Sequence, residues 1–232
     1  GKKGRRETMP ELQIYDKLLQ FPLFNGLSHN DILQLVAYTR LDFSRLEAHN
    51  VVVKAGDVCD KIMMLVGGQI EATTNSADGG YKVVEIFNSP YMLQPELLFG
   101  LSRRYTTGFT ATTRCNFISI SKKEFGLVMQ KFEVIRINYL NFIATMTQKT
   151  TRQQWLSTDD NDRARLVNFM TTHCLRPAGH KVFKILMTRL AREINVSRLD
   201  VSVELNKMQE EGLLTLTRGR ITVPFIERFG TL

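Results

Sequence analysis

Hydrophobic and polar positions change period several times along this chain. From about Pro10 to Thr39, Leu18, Leu19, Phe21, Leu23 and Phe24 supply the apolar surface of an amphipathic helical region, and Ser28 ahead of Asp31, Ile32 and Leu35 marks a further helix start. From Asn50 the period becomes two. Val51 and Val53 alternate with outward positions, followed by Ile62, Met64 and Val66, then Ile70 and Ala72. Turn signals separate these runs at Ala55-Gly56-Asp57, Gly67-Gly68 and Asp78-Gly79-Gly80. More short strands are predicted at 82–87, 107–112 and 116–119. Roughly seven short strands with regular turns read as a β-sandwich or barrel-like roll.

The helical period returns at Ser121, where Glu124 three residues on makes a capping-box pattern ahead of Phe125, Val128 and Met129. Past Phe132 a helix runs without glycine or proline to about Trp155, spanning on the order of 30 Å. Ile137, Leu140, Ala144 and Thr147 form a narrow stripe at heptad-like spacing, flanked by Ile143 and Met146. A narrow seam on a long helix suits pairing with an identical helix. Residues 157–162 are polar and rich in capping residues, and read as a hinge.

Beyond the hinge, Ala164, Leu166, Val167, Phe169 and Met170 start a small helical domain, and 181–187 is a strand candidate. Residues 190–214 then read as two short helices joined by a tight turn. Leu190 and Ile194 share one face, Asn195 suits a left-handed backbone, and Ser197 with Asp200 is a capping-box-like start. Val201, Leu205 and Met208 give the second helix its buried stripe, and Gly212 ends it. Segments 213–216 and 220–223 flank Thr217-Arg218-Gly219 as a β-hairpin wing. The order predicts a winged helix-turn-helix, a motif whose second helix enters the DNA major groove. Thr188 is expected to cap the first helix and touch phosphate, while Arg218 and Arg220 suit phosphates at the wing.

Composition sharpens this picture modestly. The 232 residues are 43% hydrophobic, enough for real cores, and carry a formal net charge of +8 that favours a polyanionic partner. The Lys2, Lys3, Arg5 and Arg6 cluster contributes to that charge, and with the Gly1 start it reads as an expression scar on a solvated end. Cys59, Cys115 and Cys174 are odd in number and far apart, and the four histidines are scattered, so no metal site or disulfide framework is expected. No apolar run approaches the ~20 residues of a membrane span. Reduced thiols and the absence of a secretory pattern favour a cytoplasmic protein. No nucleophile–base pair, metal cluster or P-loop is evident, so no enzymatic activity is expected.

A roll, a long helix, a hinge and a winged helix in this order resemble the cyclic-AMP receptor protein and FNR family of bacterial transcription regulators. The resemblance runs from about Phe24 to Val223. Ala55-Gly56-Asp57 matches the turn after the first roll strand, and residues 64–70 look like the family's strand-turn-strand. Glu96-Leu97-Leu98-Phe99 resembles the start of its phosphate-binding cassette. Val196-Ser197-Arg198 and Glu210-Glu211-Gly212-Leu213-Leu214 match the helix-turn-helix and the approach to the wing. What this implies is an α+β protein in three parts. They are a cyclic-nucleotide-binding-like β-roll (a double-stranded β-helix) at 10–131, a dimerisation helix and hinge at 132–158, and a winged helix-turn-helix at 159–232. The resemblance also implies a homodimer acting on double-stranded DNA, with RNA polymerase as a protein partner.

The departures from the family pattern are specific. Pro95 stands where nucleotide-binding members have glycine, which removes an N–H and restricts the preceding residue. Thr106 and Thr107 occupy the region of the family's Arg-Ser pair, and Arg103 and Arg104 come a few residues early. Cyclic AMP is therefore not expected to bind in the usual way, although Glu96 can still meet a ribose hydroxyl, and no cofactor is expected. In the second helix Arg198 is kept, but Leu199 and Val203 stand at the next two reading positions. Arg198 suits guanine O6 and N7, and Leu199 and Val203 suit thymine methyls, which predicts a site rich in A·T. Ser197 and Asn206 complete the expected DNA contacts. The alternative from another class is a ligand-binding or protein-interaction module whose winged helix reads no DNA.

Overall fold

A computed structural model of the chain describes residues 11–155 and 161–231. The basic cluster at 2–6 and most of the expected hinge lie outside the described residues. The chain divides into two compact units. One comprises Gly1–Ile70, Asn88–Tyr105 and Thr110–Leu156; the other comprises Glu71–Phe87, Thr106–Phe109 and Ser157–Leu232. The architecture is α+β, and no helix among the described residues is long and apolar enough to cross a membrane.

In the first unit, α1 (Glu11–Leu19) and α2 (His29–Tyr38) precede the strands. Ser28 caps α2 in a full capping box: its hydroxyl accepts from Asp31 N–H, while the Asp31 carboxylate accepts from Ser28 N–H. Strands β1 (Leu41–Leu46), β3 (Lys61–Gly67), β6 (Tyr91–Met92) and β8 (Cys115–Ser121) form an antiparallel sheet in the order β1–β8–β3–β6. The short strand β2 (Val51–Val53) also falls in this unit, as the period of two predicts. β1 was not expected. It is an edge strand whose Asp42, Ser44 and Arg45 face solvent, so its hydrophobic alternation is weak. β3 also departs from the expected alternation, because every residue from Ile62 to Val66 is buried. Helix α3 (Lys122–Lys131) packs on it, so both faces of the strand are covered. Ser121 caps α3 by accepting from Glu124 N–H, as its spacing predicts.

Helix α4 (Glu133–Trp155) is 23 residues long. Phe132, Ile135 and Tyr139 are buried in their own unit, and Asn138 Nδ2 donates to the carbonyls of Leu23 and Asn25 at 3.0 and 2.8 Å. A different face carries the predicted stripe, and Ile137, Leu140, Ala144 and Thr147 are all exposed.

The second unit joins a hairpin to a helical group. Strands β4 (Gln69–Asn75) and β5 (Lys82–Asn88) flank a turn in which the Asp78 side chain accepts from Gly80 N–H. The strand expected at 107–112 is β7 (Thr107–Ala111). β5 pairs antiparallel with β9 (Lys181–Lys184), setting Lys82 opposite Lys184 and Glu85 opposite Lys181. β9 pairs in turn with β11 (Arg220–Val223), and β11 with β10 (Thr215–Thr217). The strand expected at 181–187 stops at Lys184, where its partner β5 begins. Helices α5 (Asp162–Thr172), α6 (Met187–Ile194) and α7 (Arg198–Glu210) close over the sheet. Leu190, Ile194, Val201, Leu205 and Met208 share a core with Phe169, Phe183, Ile221, Val223 and the hairpin's Val83. Burial of large side chains of this kind contributes about 1.5–3 kcal/mol each.

Candidate functional site

Two sets of residues are candidates for function. The first is the helix pair α6–α7. Asn195 sits between the helices at φ 55° and ψ 50°, the left-handed conformation its side chain tolerates. Its carbonyl accepts from Arg165 Nη1 at 3.1 Å, so α5 braces the turn. At the far end of α7, Gly212 takes φ 74° and Leu213 N–H bonds back to Met208 O at 3.0 Å. Gln209 Oε1 then accepts from Leu216 N–H at 2.6 Å, fixing the start of the β10–β11 hairpin against the helix.

All eight residues proposed from the sequence for DNA contact are exposed in this unit. Thr188 lies in the first turn of α6 but does not cap it. Leu186 holds the cap position, and no side chain accepts there. Ser197 caps α7: its hydroxyl accepts from Asp200 N–H at 3.1 Å and donates to Asp200 Oδ2 at 2.6 Å. Asn206 Nδ2 donates to Ser202 O at 2.8 Å, so its amide is turned onto its own helix. Arg198 opens α7, followed by Leu199 at 73% exposure and Val203 at 45%. Arg218 occupies the β10–β11 turn and Arg220 the first position of β11.

Sequence reasoning missed two polar contacts that tie this unit's hairpin to its helical group. Arg189 of α6 pairs with Asp78 of the hairpin turn at 2.6 Å and with Glu193 at 2.6 Å, and it lies over the Tyr81 ring at 5.4 Å. The Arg189 guanidinium, followed by the Gly80 N–H, holds the Asp78 carboxyl well below the usual carboxylate range. Glu85 and Lys181 form a second pair. No local spacing links residues 96 positions apart, so no sequence pattern announces it. Burial, followed by the Glu85 charge, pushes the nearby Cys174 thiol up to about 12, which keeps it protonated.

The second set, Glu96, Arg103, Arg104, Thr106 and Thr107, comprises the sequence candidates for an effector pocket at the family's phosphate-binding region, and it is divided between the units. In the first unit Glu96 lies in a single 3-10 turn, Pro95–Leu97, preceded by Gln94 in the left-handed region at φ 39°. Burial pushes the Glu96 carboxyl up. Its charge is felt by Cys59, Tyr105 and Tyr139, and the Tyr139 hydroxyl donates to Pro95 O at 2.9 Å. Burial first, and Glu96 second, push the Tyr139 phenol up to about 12. Arg104 Nη1 donates to Gly56 O at 2.8 Å, so its guanidinium rests on the Ala55-Gly56-Asp57 turn, and Arg103 O accepts from Cys59 N–H at 2.7 Å. In the second unit Thr106 is exposed, while Thr107 is fully buried with its Oγ1 2.7 Å from Thr74 Oγ1.

Residues 43–132 match the family model of the cyclic nucleotide-binding domain. The structure resembles the catabolite activator protein of Thermus thermophilus at 17% identity, over 90% of this chain and 97% of that one, with a TM-score of 0.51. The sensor domain of the transcriptional regulator DNR from Pseudomonas aeruginosa is 19% identical over 66% of this chain and 100% of its own, with a TM-score of 0.52. The N-terminal domain of a transcriptional regulator from Streptomyces coelicolor A3(2) is 18% identical over 63% of this chain and 100% of its own, with a TM-score of 0.50. No curated protein matches the sequence. The resemblance to the cyclic-AMP receptor protein and FNR family agrees with both the family match and these folds.

Proposed function

We propose that the chain is a homodimeric transcription regulator of the cyclic-AMP receptor protein and FNR type, which binds duplex DNA and performs no catalysis. The observation that carries this reading is the exposed face of α7. Arg198, Leu199 and Val203 stand outward at the start of a helix held by a capped turn and followed by a hairpin bearing Arg218 and Arg220. In this reading α6 and α7 are the helix-turn-helix, β10–β11 is the wing, and residues 161–232 carry twelve arginines and lysines against seven carboxylates. The exposed stripe of Ile137 and Leu140 on α4 supports pairing with a second copy. A two-fold dimer then requires half-sites about one helical turn apart. RNA polymerase as a partner and a cytoplasmic location belong to the same reading, and rest on the family resemblance.

The effector side of the reading departs from cyclic AMP. Arg104 rests on a backbone carbonyl, Thr107 is buried against Thr74, and Pro95 replaces a backbone donor with a ring. Titration of the chain with cyclic AMP is expected to give no saturable heat.

Salt-dependent binding to duplex DNA tests the central claim. Neutralised phosphates release counterions, so the logarithm of the affinity should fall steeply and linearly with the logarithm of salt. A protein-interaction module would bind no duplex under any salt.

A further inference from the structure

We propose that α7 reads the 5-methyl group of a pyrimidine beside the guanine taken by Arg198, so that 5-methylcytosine is bound more tightly there than cytosine. The inference rests on the duplex-binding reading above and names the chemical feature that this surface recognises. Five residues of α7 and its cap, Ser197, Arg198, Leu199, Val203 and Asn206, were candidates for polar reading or packing, and the structure separates them. Ser197 and Asn206 spend their side chains on their own helix, through Asp200 and the Ser202 carbonyl. Lys207 is paired with Glu204 at 2.7 Å. Leu199 and Val203 are four residues apart and therefore share one face, with Arg198 immediately before them at the helix N-terminus.

An arginine beside two branched apolar side chains selects a particular chemistry in the major groove. Arginine holds guanine through O6 and N7. Leucine and valine can accept no hydrogen bond from a cytosine amino group, and they can donate none to thymine O4. The favourable contact left to them on a base edge is the methyl group at C5. Thymine carries that methyl, uracil lacks it, and 5-methylcytosine carries it at the same position of the ring. The surface therefore distinguishes methylated from unmethylated pyrimidines more sharply than it distinguishes the two bases. Each buried methyl contributes about 0.8 kcal/mol, which corresponds to about fourfold in affinity.

The test uses the full chain. A preferred duplex is selected from a random pool, and anisotropy titrations are run on synthetic duplexes in which single thymines become uracil and single cytosines become 5-methylcytosine. At one or two positions per half-site, uracil should weaken binding about fourfold, and a C·G pair placed there should regain about that factor when methylated. L199A and V203A should each erase the effect at one position while still binding the uracil duplex; both side chains are exposed, so the fold does not depend on them. Equal affinity for thymine and uracil at every position would overturn the inference and leave DNA binding intact. Tighter binding of unmethylated cytosine would overturn it too. If no duplex is selected, the DNA-binding reading itself falls, and the inference falls with it.

Discussion

Lys181 and Glu85 form an ion pair sealed from solvent, with Nζ 2.9 Å from the carboxylate and side-chain exposures of 0% and 1%. The contact is electrostatic rather than an aligned hydrogen bond, and the Phe87 ring lies 4.9 Å from the ammonium. Glu85 also accepts from the Leu175 N–H at 2.8 Å, near the start of the loop that follows α5. A charge buried this deeply is costly once it loses its partner. Lys181→Ala or Glu85→Ala should therefore destabilise the protein by about 3–5 kcal/mol, read from denaturant midpoints. The double variant Lys181→Met with Glu85→Leu should recover most of that loss. A double variant as unstable as the sum of the singles would mean that packing, not charge, dominates at this place.

Three exposed carboxylates in the same unit predict how it responds to acid. Arg189 lowers the Asp78 carboxyl, Arg163 lowers that of Glu211, and the Gly179 N–H lowers that of Glu227. A depressed folded value means that the contribution is complete above the ordinary carboxylate range, about pH 4 to 5, and is lost as pH falls through the folded value. Asp78→Asn should thus be less stable than the parent at pH 7, and the gap between the two denaturation curves should begin to narrow only as pH falls below about 4, closing well below the ordinary carboxylate range. A gap that stays constant throughout that fall would remove the Asp78–Arg189 pair from the explanation.

Glu96 carries the opposite sign. Burial raises its carboxyl, so the folded state holds the proton more tightly than the unfolded chain does. Stability therefore falls as pH rises from about 4.3, the ordinary glutamate value, through the raised value. Glu96→Gln removes that ionisation. It should stabilise the protein at pH 7 and make no difference at pH 4, a pattern that thermal melts at the two values resolve.

Arg198→Ala should cost about 1–3 kcal/mol on the selected duplex and relax the preference at one base pair. Arg218→Ala and Arg220→Ala should weaken all duplexes alike, each lowering the salt slope by about one. An Arg198 variant that weakens every sequence equally would make this residue a phosphate contact.

The exposed stripe on α4 gives a prediction about assembly. Leu140→Lys places a charge in the middle of the apolar seam, and sedimentation should show the variant as a monomer at concentrations where the parent is a dimer. Its folded stability as a monomer should change little, because Leu140 faces away from its own unit's core, where Ile135 and Tyr139 are buried.

Much of the local structure could be read from the chain because it is written in short-range chemistry. Ser28 with Asp31, Ser121 with Glu124, and Ser197 with Asp200 each cap a helix, and Asn195 takes the left-handed turn. Edge strand β1 escaped because solvent faces several of its residues, and the full burial of β3 escaped because α3 supplies its second cover. The inward turn of Ser197 and Asn206 could not be decided from residue type, since each can bond either a base or its own helix. Nor could spacing reveal that Asp78 and Glu85 find Arg189 and Lys181, because these contacts join segments about a hundred residues apart.

The pairing of β5 with β9 bears on how such a protein can be cut and recombined. The segment Glu71–Phe87 belongs to the same unit as Ser157–Leu232, so this unit is not a continuous stretch of sequence. A fragment beginning at Ser157 would bare one edge of β9 and leave Lys181 without its carboxylate. Unpaired edges of that kind recruit other strands, so the fragment should aggregate. Grafting this unit onto a different partner domain would require transplanting the hairpin as well.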